Sequence, residues 1–431
     1  MKKIFKLEIF VFFVTFILRI YYISLPYSRD LLAAGSTNFW QVVGENYLRY
    51  GYLSHWSCPV LNTGSNLPPE LYFNHPSLTA FYLSLFYWVL GASSLVTKFA
   101  ALVGWYTVSY LIFKLASKKS VSLGHYSLIA SLILPFTNIF SNCMDSIGGP
   151  LIVVFSLLFI YFLENKSNAI LISLAIVLAV FSEWSFIPLA IYCGIAQRYK
   201  SRRLLIWTVS LSAYTLLTFL FFYHSKHDFL QMVQLHIAPH QGFTVPVLHL
   251  LSKIVITYVL TLFTPFLFIG GFLLFKKYKF TYLSLLMQPL IMVLAFPHGA
   301  YKHAFWVCTL VPFACLAIAQ SMKVFKKYKL FIVFGILIFS VAYTIYFKGR
   351  GHTNYYMQAG QFINLHTSPK EIVLIPTPGM AADANSERLL IGSYAKRDLI
   401  MLPKEEDKVA KYFWSCSVNR CKSQVINTKE S

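Results

Sequence analysis

Between Leu204 and Tyr223 the chain runs for twenty residues without a charged side chain. Ala304–Ser321 does the same, and Leu250–Phe275 carries only Lys253. About 18 apolar residues in a row are enough to cross a hydrocarbon core roughly 30 Å thick. Inside lipid no water is present to satisfy the backbone, so each such segment must be helical. Composition extends this to the whole chain: 57% of the 431 residues are apolar and 12% are charged, about half the charged share of an ordinary soluble domain. The expected fold class is an all-α polytopic membrane protein.

Hydropathy marks about twelve apolar segments, near 7–25, 78–92, 95–114, 126–141, 147–163, 168–182, 185–197, 204–223, 250–275, 280–297, 304–322 and 330–347. The first follows Lys2, Lys3 and Lys6 as a signal peptide would, yet it is long and aromatic, contains Arg19 and leads into Pro26-Tyr27. A retained first span is expected, because no small-residue cleavage site follows it.

A formal charge of +21 would suggest nucleic acid in a soluble protein. Here the basic residues fall in short clusters between apolar segments: Lys2/Lys3/Lys6, Lys118/Lys119, Arg198–Arg203, Lys276–Lys279 and Lys323–Lys329. That is the pattern of cytoplasmic loops under the positive-inside rule, and such clusters attract anionic lipid head groups. Membrane lipids are therefore expected partners and nucleic acid is not. The same rule assigns 26–76, 224–249, 298–303 and everything after about 348 to the outer side. A cytoplasmic N-terminus with an external C-terminus needs an odd number of crossings, eleven or thirteen. The unsettled place is 78–114, where two apolar segments separate an external loop from Lys118/Lys119. Either one segment lies along the interface or these lysines break the rule.

The expected organisation is a transmembrane domain over 1–350, with external loops 26–76 and 224–249, and a small external region over 351–431. In that region a helical Tyr355–Leu365 precedes a strand at Glu371–Pro376, the makings of an α/β appendage. Cys193, Cys308 and Cys315 fall in apolar segments, where a buried apolar role is expected. Cys416 and Cys421 could pair if their end faces an oxidising compartment.

Several outer features occur in a recognisable order. The first loop holds Gly35-Ser-Thr-Asn38-Phe-Trp40, then Gly44-Glu45-Asn46-Tyr47-Leu48-Arg49-Tyr50-Gly51, then Tyr72-Phe73-Asn74-His75-Pro76-Ser77-Leu78. Further on stand Pro135-Phe-Thr-Asn138 leading to Asp145, Ser182-Glu183-Trp184, and Pro297-His298-Gly-Ala-Tyr301-Lys302-His303. This resembles the GT-C glycosyltransferases of the protein-mannosyltransferase and aminoarabinose-transferase type, with their "A-R-N-x-L-x-x-G" helix and "H-P-P-L" approach to the next span. The resemblance covers roughly residues 1–350. It implies a GT-C-like bundle of about 11–13 spans with a large first external loop and a small external α/β C-terminal tail. It also implies inverting transfer of a sugar from a polyprenyl-phosphate carrier to a lipid, glycan or protein acceptor. The active site would face outward from a bacterial cytoplasmic (inner) membrane.

Such a reaction needs a base for the acceptor's proton and cations for the phosphate leaving group. Many members of the family carry Asp-Glu where this chain has Ser36 and Thr37. Asp30 and Glu45 are the nearest carboxylates and hence the candidate catalytic residues, although Asp30 could instead pair with Arg29 and Glu45 could sit on the wet face of its helix. Glu70 is a weaker candidate, in a Pro-rich stretch that fixes it less. His75, His298, Lys302 and His303 are the candidates for holding the donor phosphate; snorkelling is the plain alternative for Lys302, and helix capping for His75. Asp145 and Glu183 are candidates for supporting the site or holding a divalent metal, with N-capping the alternative for Asp145. The residues do not specify whether any cofactor or metal takes part. The five histidines of 224–249 lack a convincing ligand spacing and suit an acceptor-facing loop.

Two other classes compete. A lipid-linked-sugar flippase or other transporter would show ionisable residues inside its spans, whereas here they gather in outer loops. A catalytically inactive GT-C relative acting as a subunit is kept open by the missing Asp-Glu.

Overall fold

The computed structural model describes residues 2–25, 31–53, 59–71, 77–134, 148–196, 264–295, 308–325, 327–343, 345, 355–369, 371–376, 384–402, 412–417 and 420–425. The helices are α1 (Lys2–Ser24), α2 (Leu31–Tyr50), α3 (Leu78–Leu90), α4 (Ser94–Ser117), α5 (Val121–Ile133), α6 (Gly148–Glu164), α7 (Ala169–Ser182), α8 (Ile187–Ala196), α9 (Thr264–Lys277), α10 (Lys279–Ala295), α11 (Val311–Val324), α12 (Lys329–Tyr343) and α13 (Tyr355–His366). After them come β1 (Ile372–Pro376), α14 (Ala384–Ala395), β2 (Asp398–Leu402), β3 (Tyr412–Ser417) and β4 (Arg420–Val425). The chain divides into two compact units, one of Met1–Ile23, Phe73–Thr79 and Phe99–Gly349, the other of Ser24–Tyr72, Ala80–Lys98 and Arg350–Ser431.

In the first unit, α1 shows what solvent it is made for. Its buried stripe is Glu8, Val11, Thr15, Leu18, Arg19 and Tyr22, while Phe5, Ile9, Phe13, Phe16, Ile17 and Ile20 are exposed. A helix that keeps its polar side chains inward and its rings outward is solvated by lipid rather than water. Phe5–Ser24 and Ser94–Ser117 are long and apolar enough to cross a bilayer, and shorter apolar helices accompany them. The core runs through α4, α5, α6, α7, α8 and α11 around Trp105, Ile112, Leu123, Ile129, Phe159 and Phe186. Small residues let the helices close on one another. A Cβ at Gly270 of α9 would stand 1.8 Å from the Ala317 carbonyl of α11, and α9 and α11 pack together. Polar residues act as links: the Ser156 hydroxyl donates to Gln288 Oε1 at 3.0 Å, and Gln288 Nε2 donates to Ser185 at 3.2 Å.

The contacts of α1 settle the direction of α4. Glu8 meets His125 in α5, just beyond the end of α4. Arg19 lies over the Tyr106 ring of α4, and the Leu25 carbonyl accepts from Lys98 near the start of α4. The two helices therefore run antiparallel, and Lys118/Lys119 share an end with Lys2, Lys3 and Lys6. The chain leaves α1 and enters α4 at one end, so α2 and α3 make no net crossing. Thirteen residues of α3 rise about 20 Å, short of the hydrocarbon core. Its buried Ala80, Leu83 and Tyr87 alternate with exposed Phe81, Leu85, Trp88 and Val89, a pattern suited to lying along the membrane surface. Of the two readings of 78–114, the end shared by Lys118/Lys119 and Lys2, Lys3 and Lys6 fits the one in which a segment lies along the interface.

In the second unit, β1 and β2 pair in parallel, with Ile372 opposite Asp398, and α14 supplies the crossover between them. A small core of Tyr356, Ile363, Val373, Ile391 and Leu399 closes this βαβ unit, with α13 packed on α14. α2 also packs on α14. β3 and β4 form an antiparallel hairpin in which Cys416 and Cys421 are register partners. Cys193, Cys308 and Cys315 are all buried as expected; Cys193 and Cys315 are free, and Cys308 is in addition disulfide-bonded.

Candidate functional site

The second unit shows why Gly44-Glu45-Asn46 is followed by Leu48 and Gly51. Gly44 lies where α2 crosses α3, and a Cβ there would come within 3.1 Å of Tyr87 and 3.2 Å of Leu83. The Asn46 amide, buried, donates to the carbonyls of Val60 at 2.7 Å and Asn62 at 2.8 Å, tying the following loop to the helix. Gly51 ends α2 at φ +91°, the left-handed conformation that favours glycine at a helix C-terminus, and its N–H closes on Tyr47 at 3.0 Å.

Glu45 projects from α2 beside this frame. Its Oε1 accepts from Gln41 Nε2 at 3.1 Å, one turn earlier, and its Oε2 accepts from Lys396 at 2.5 Å. The Glu45 side chain is 12% exposed and that of Lys396 41%, so the pair has one sheltered and one wet member. Glu45 is thus held from both sides, by its own helix and by the turn after α14.

The segment following Lys396 fixes the loop. Asp398 accepts backbone N–H bonds from Gly64 at 2.8 Å, Asn66 at 2.7 Å and Leu67 at 3.0 Å. A Cβ at Gly64 would stand 2.4 Å from the Asp398 nitrogen, so only glycine allows this approach. Thr63 donates to the Arg397 carbonyl at 2.5 Å, and Arg49 and Tyr50 of α2 donate to the Gly64 carbonyl. The Arg397 guanidinium is turned inward and spends its donors on Thr367, Ala395, Lys396 and Asn364. Burial raises the Tyr394 phenol above its ordinary value, against a hydrogen bond with Ser94.

Of the carboxylates singled out in the sequence, Glu45 is the one this frame contains in a sheltered position. Glu70, expected to be poorly fixed, is well held: its N–H donates to Asn62 Oδ1 at 2.7 Å, and its carboxylate takes Arg388 at 2.9 and 3.1 Å. Glu183 follows α7 as its C-cap, with its N–H on the Ala179 carbonyl at 3.0 Å, and belongs to the first unit. Asp30, His75, Asp145, His298, Lys302, His303 and the loop 224–249 lie outside the described residues. Among the described residues no group of three His, Cys, Asp or Glu side chains could hold a metal ion. Lys396, Arg397 and Asp398 escaped the sequence reading; a basic-basic-acidic triplet opening a strand was the available signal.

Together these elements define an all-α polytopic membrane protein with the GT-C fold. ArnT from Cupriavidus metallidurans in the apo state matches it over 92% of this chain and 85% of that chain, with a TM-score of 0.63 and 8% sequence identity. The same protein bound to undecaprenyl phosphate matches over 94% of this chain and 86% of that one, again with a TM-score of 0.63 and 8% identity. At that identity the likeness is one of fold. No family model and no curated protein matches the sequence.

Proposed function

We propose that the chain is an inverting glycosyltransferase that moves a sugar from a polyprenyl-phosphate carrier to an acceptor on the outer face of the membrane. The observation that carries this reading is the fold, shared over nine-tenths of the chain with a protein crystallised with undecaprenyl phosphate. The charge bias supports an outward-facing site, and a disulfide at Cys308 suits an oxidising compartment.

In this reading Asp30 is the base, because both oxygens of Glu45 already hold donors from Gln41 and Lys396; Glu45 then orders the wall of the site. His75, His298, Lys302 and His303 receive the carrier phosphate, and Asp145 and Glu183 support the site or hold a divalent metal. Purified protein given polyprenyl-phosphate sugars should release polyprenyl phosphate. Asp30→Asn should lower turnover by roughly 10²-fold with donor binding kept, and Glu45→Gln should do less. Lys302→Ala and His303→Ala should weaken donor binding. A wild-type protein that turns over no carrier would point to the inactive-subunit reading, which Ser36 and Thr37 in place of Asp-Glu favour.

A further inference from the structure

The first unit contains a cleft that the proposed reaction does not use. It measures about 430 Å³ and is walled by the first three turns of α1, the last three of α4 and the C-terminal half of α5. Six aromatic rings line it, Phe5, Phe12, Phe13, Tyr106, Tyr110 and Phe113. That is the size of a small-ligand site, but one with almost no polar group to orient a polar ligand. The Glu8 carboxylate in its wall is already held by His125 Nδ1 at 2.6 Å.

The cleft reaches the basic end of the unit, where Phe5 and Phe113 line it. Most lysines at that end are committed within the protein: Lys119 to Glu164 at 3.0 Å, Lys118 to the Tyr161 ring at 4.0 Å, Lys323 to Ser120 at 3.1 Å and Lys329 to Tyr126 at 3.4 Å. Lys114 differs. It is exposed, and its ammonium stands 5.4 Å above the ring of Tyr110, a wall of the cleft. Lys6 is exposed beside Phe5. Among the described residues no carboxylate pairs with either lysine.

We propose that this cleft binds one anionic phospholipid of the leaflet at the basic end, its acyl chain against the aromatic walls and its phosphate on Lys114 and Lys6. A dry aromatic trough excludes a soluble anion, and two exposed cations next to its lining residues Phe5 and Phe113, neither paired with a carboxylate among the described residues, select a negative head group over a zwitterionic one. Lys114 lies close to Tyr110, so head group and chain are recognised by adjoining side chains of one helix. The site lies at the end of α1 and α4 opposite to that from which the first loop leaves, so it is separate from the expected donor site.

The full chain, reconstituted in vesicles of equal phosphatidylglycerol and phosphatidylcholine and then extracted in mild detergent, tests this by native mass spectrometry. Wild type should retain one phosphatidylglycerol in preference to phosphatidylcholine. The double variant Lys6→Ala/Lys114→Ala should lose that preference by about fivefold or more, while Lys276→Ala, an exposed lysine of α9, a helix that supplies no wall of the cleft, should keep it. Ser109→Phe should evict the lipid by filling the cleft; if that variant fails to fold, the lysine pair still decides. Equal retention of both lipids, retention of detergent alone, equal loss in Lys276→Ala, or displacement by added polyprenyl phosphate would each overturn the proposal.

Discussion

The two units hold their polar groups in different ways. In the first, side chains meet side chains: Gln288 meets Ser156 and Ser185, Glu8 meets His125, and Arg19 lies over Tyr106, within a mainly apolar core. In the second, the irregular loop 59–71 is held by side chains that bond backbone: Asn46 on Val60 and Asn62, Arg49 on Gly64, and Asp398 on the amides of Gly64, Asn66 and Leu67. A span satisfies its own backbone, so its side-chain bonds only tune association. A loop has no such internal ladder, and each of its buried amides must find a partner elsewhere. The loop's order is therefore concentrated in a few replaceable side chains, whereas the bundle's is spread over many contacts.

Asp398→Ala should break this contrast most strongly. Three donors lose their acceptor, two of them only partly buried, and the cost should be about 3 kcal/mol. It should appear as new protease cleavage within 63–67 while the bundle stays folded; uniform unfolding would show that the loop is not a separable weak point. Gly270→Leu attacks the bundle instead, and forcing α9 from α11 should cost about 2 kcal/mol, read as a lower melting temperature in detergent. Gln288→Leu should cost only about 0.6 kcal/mol in the same assay, since the serines at either end can bond carbonyls of their own helices. Arg388→Ala should fall within about 0.5 kcal/mol of wild type, because Glu70 is 46% exposed. A larger effect would mean that the second unit depends on ion pairs as well as on backbone capture.

The sequence disclosed the class of fold through its long apolar runs and its basic clusters. It could not say which stripe of α1 faces inward, because a helix apolar all round carries no moment to orient it. The stripe holding Glu8, Thr15 and Arg19 is obvious only after the neighbours are known. Nor could hydropathy foresee the close approach of α2 to α3 at Gly44, since it reads how apolar a helix is and not what packs on it. The motif Gly44–Gly51 was legible as a pattern, yet its residues serve three mechanical tasks: close packing, loop capture and helix termination. Lys396 and Asp398 were invisible because their partners lie more than 330 positions away, and nothing local marks a carboxylate destined for distant amides.

That distance has a consequence for biogenesis. The amide of Gly64 and the carboxylate of Asp398 are 334 residues apart, and ribosomes add roughly 5–20 residues per second. The first loop therefore waits roughly 20–70 s for the carboxylate that completes it. During that interval its amides are bare, and a chain terminated before Asp398 would keep them so permanently. The order of the first loop is thus tied to completion of the chain as far as Asp398.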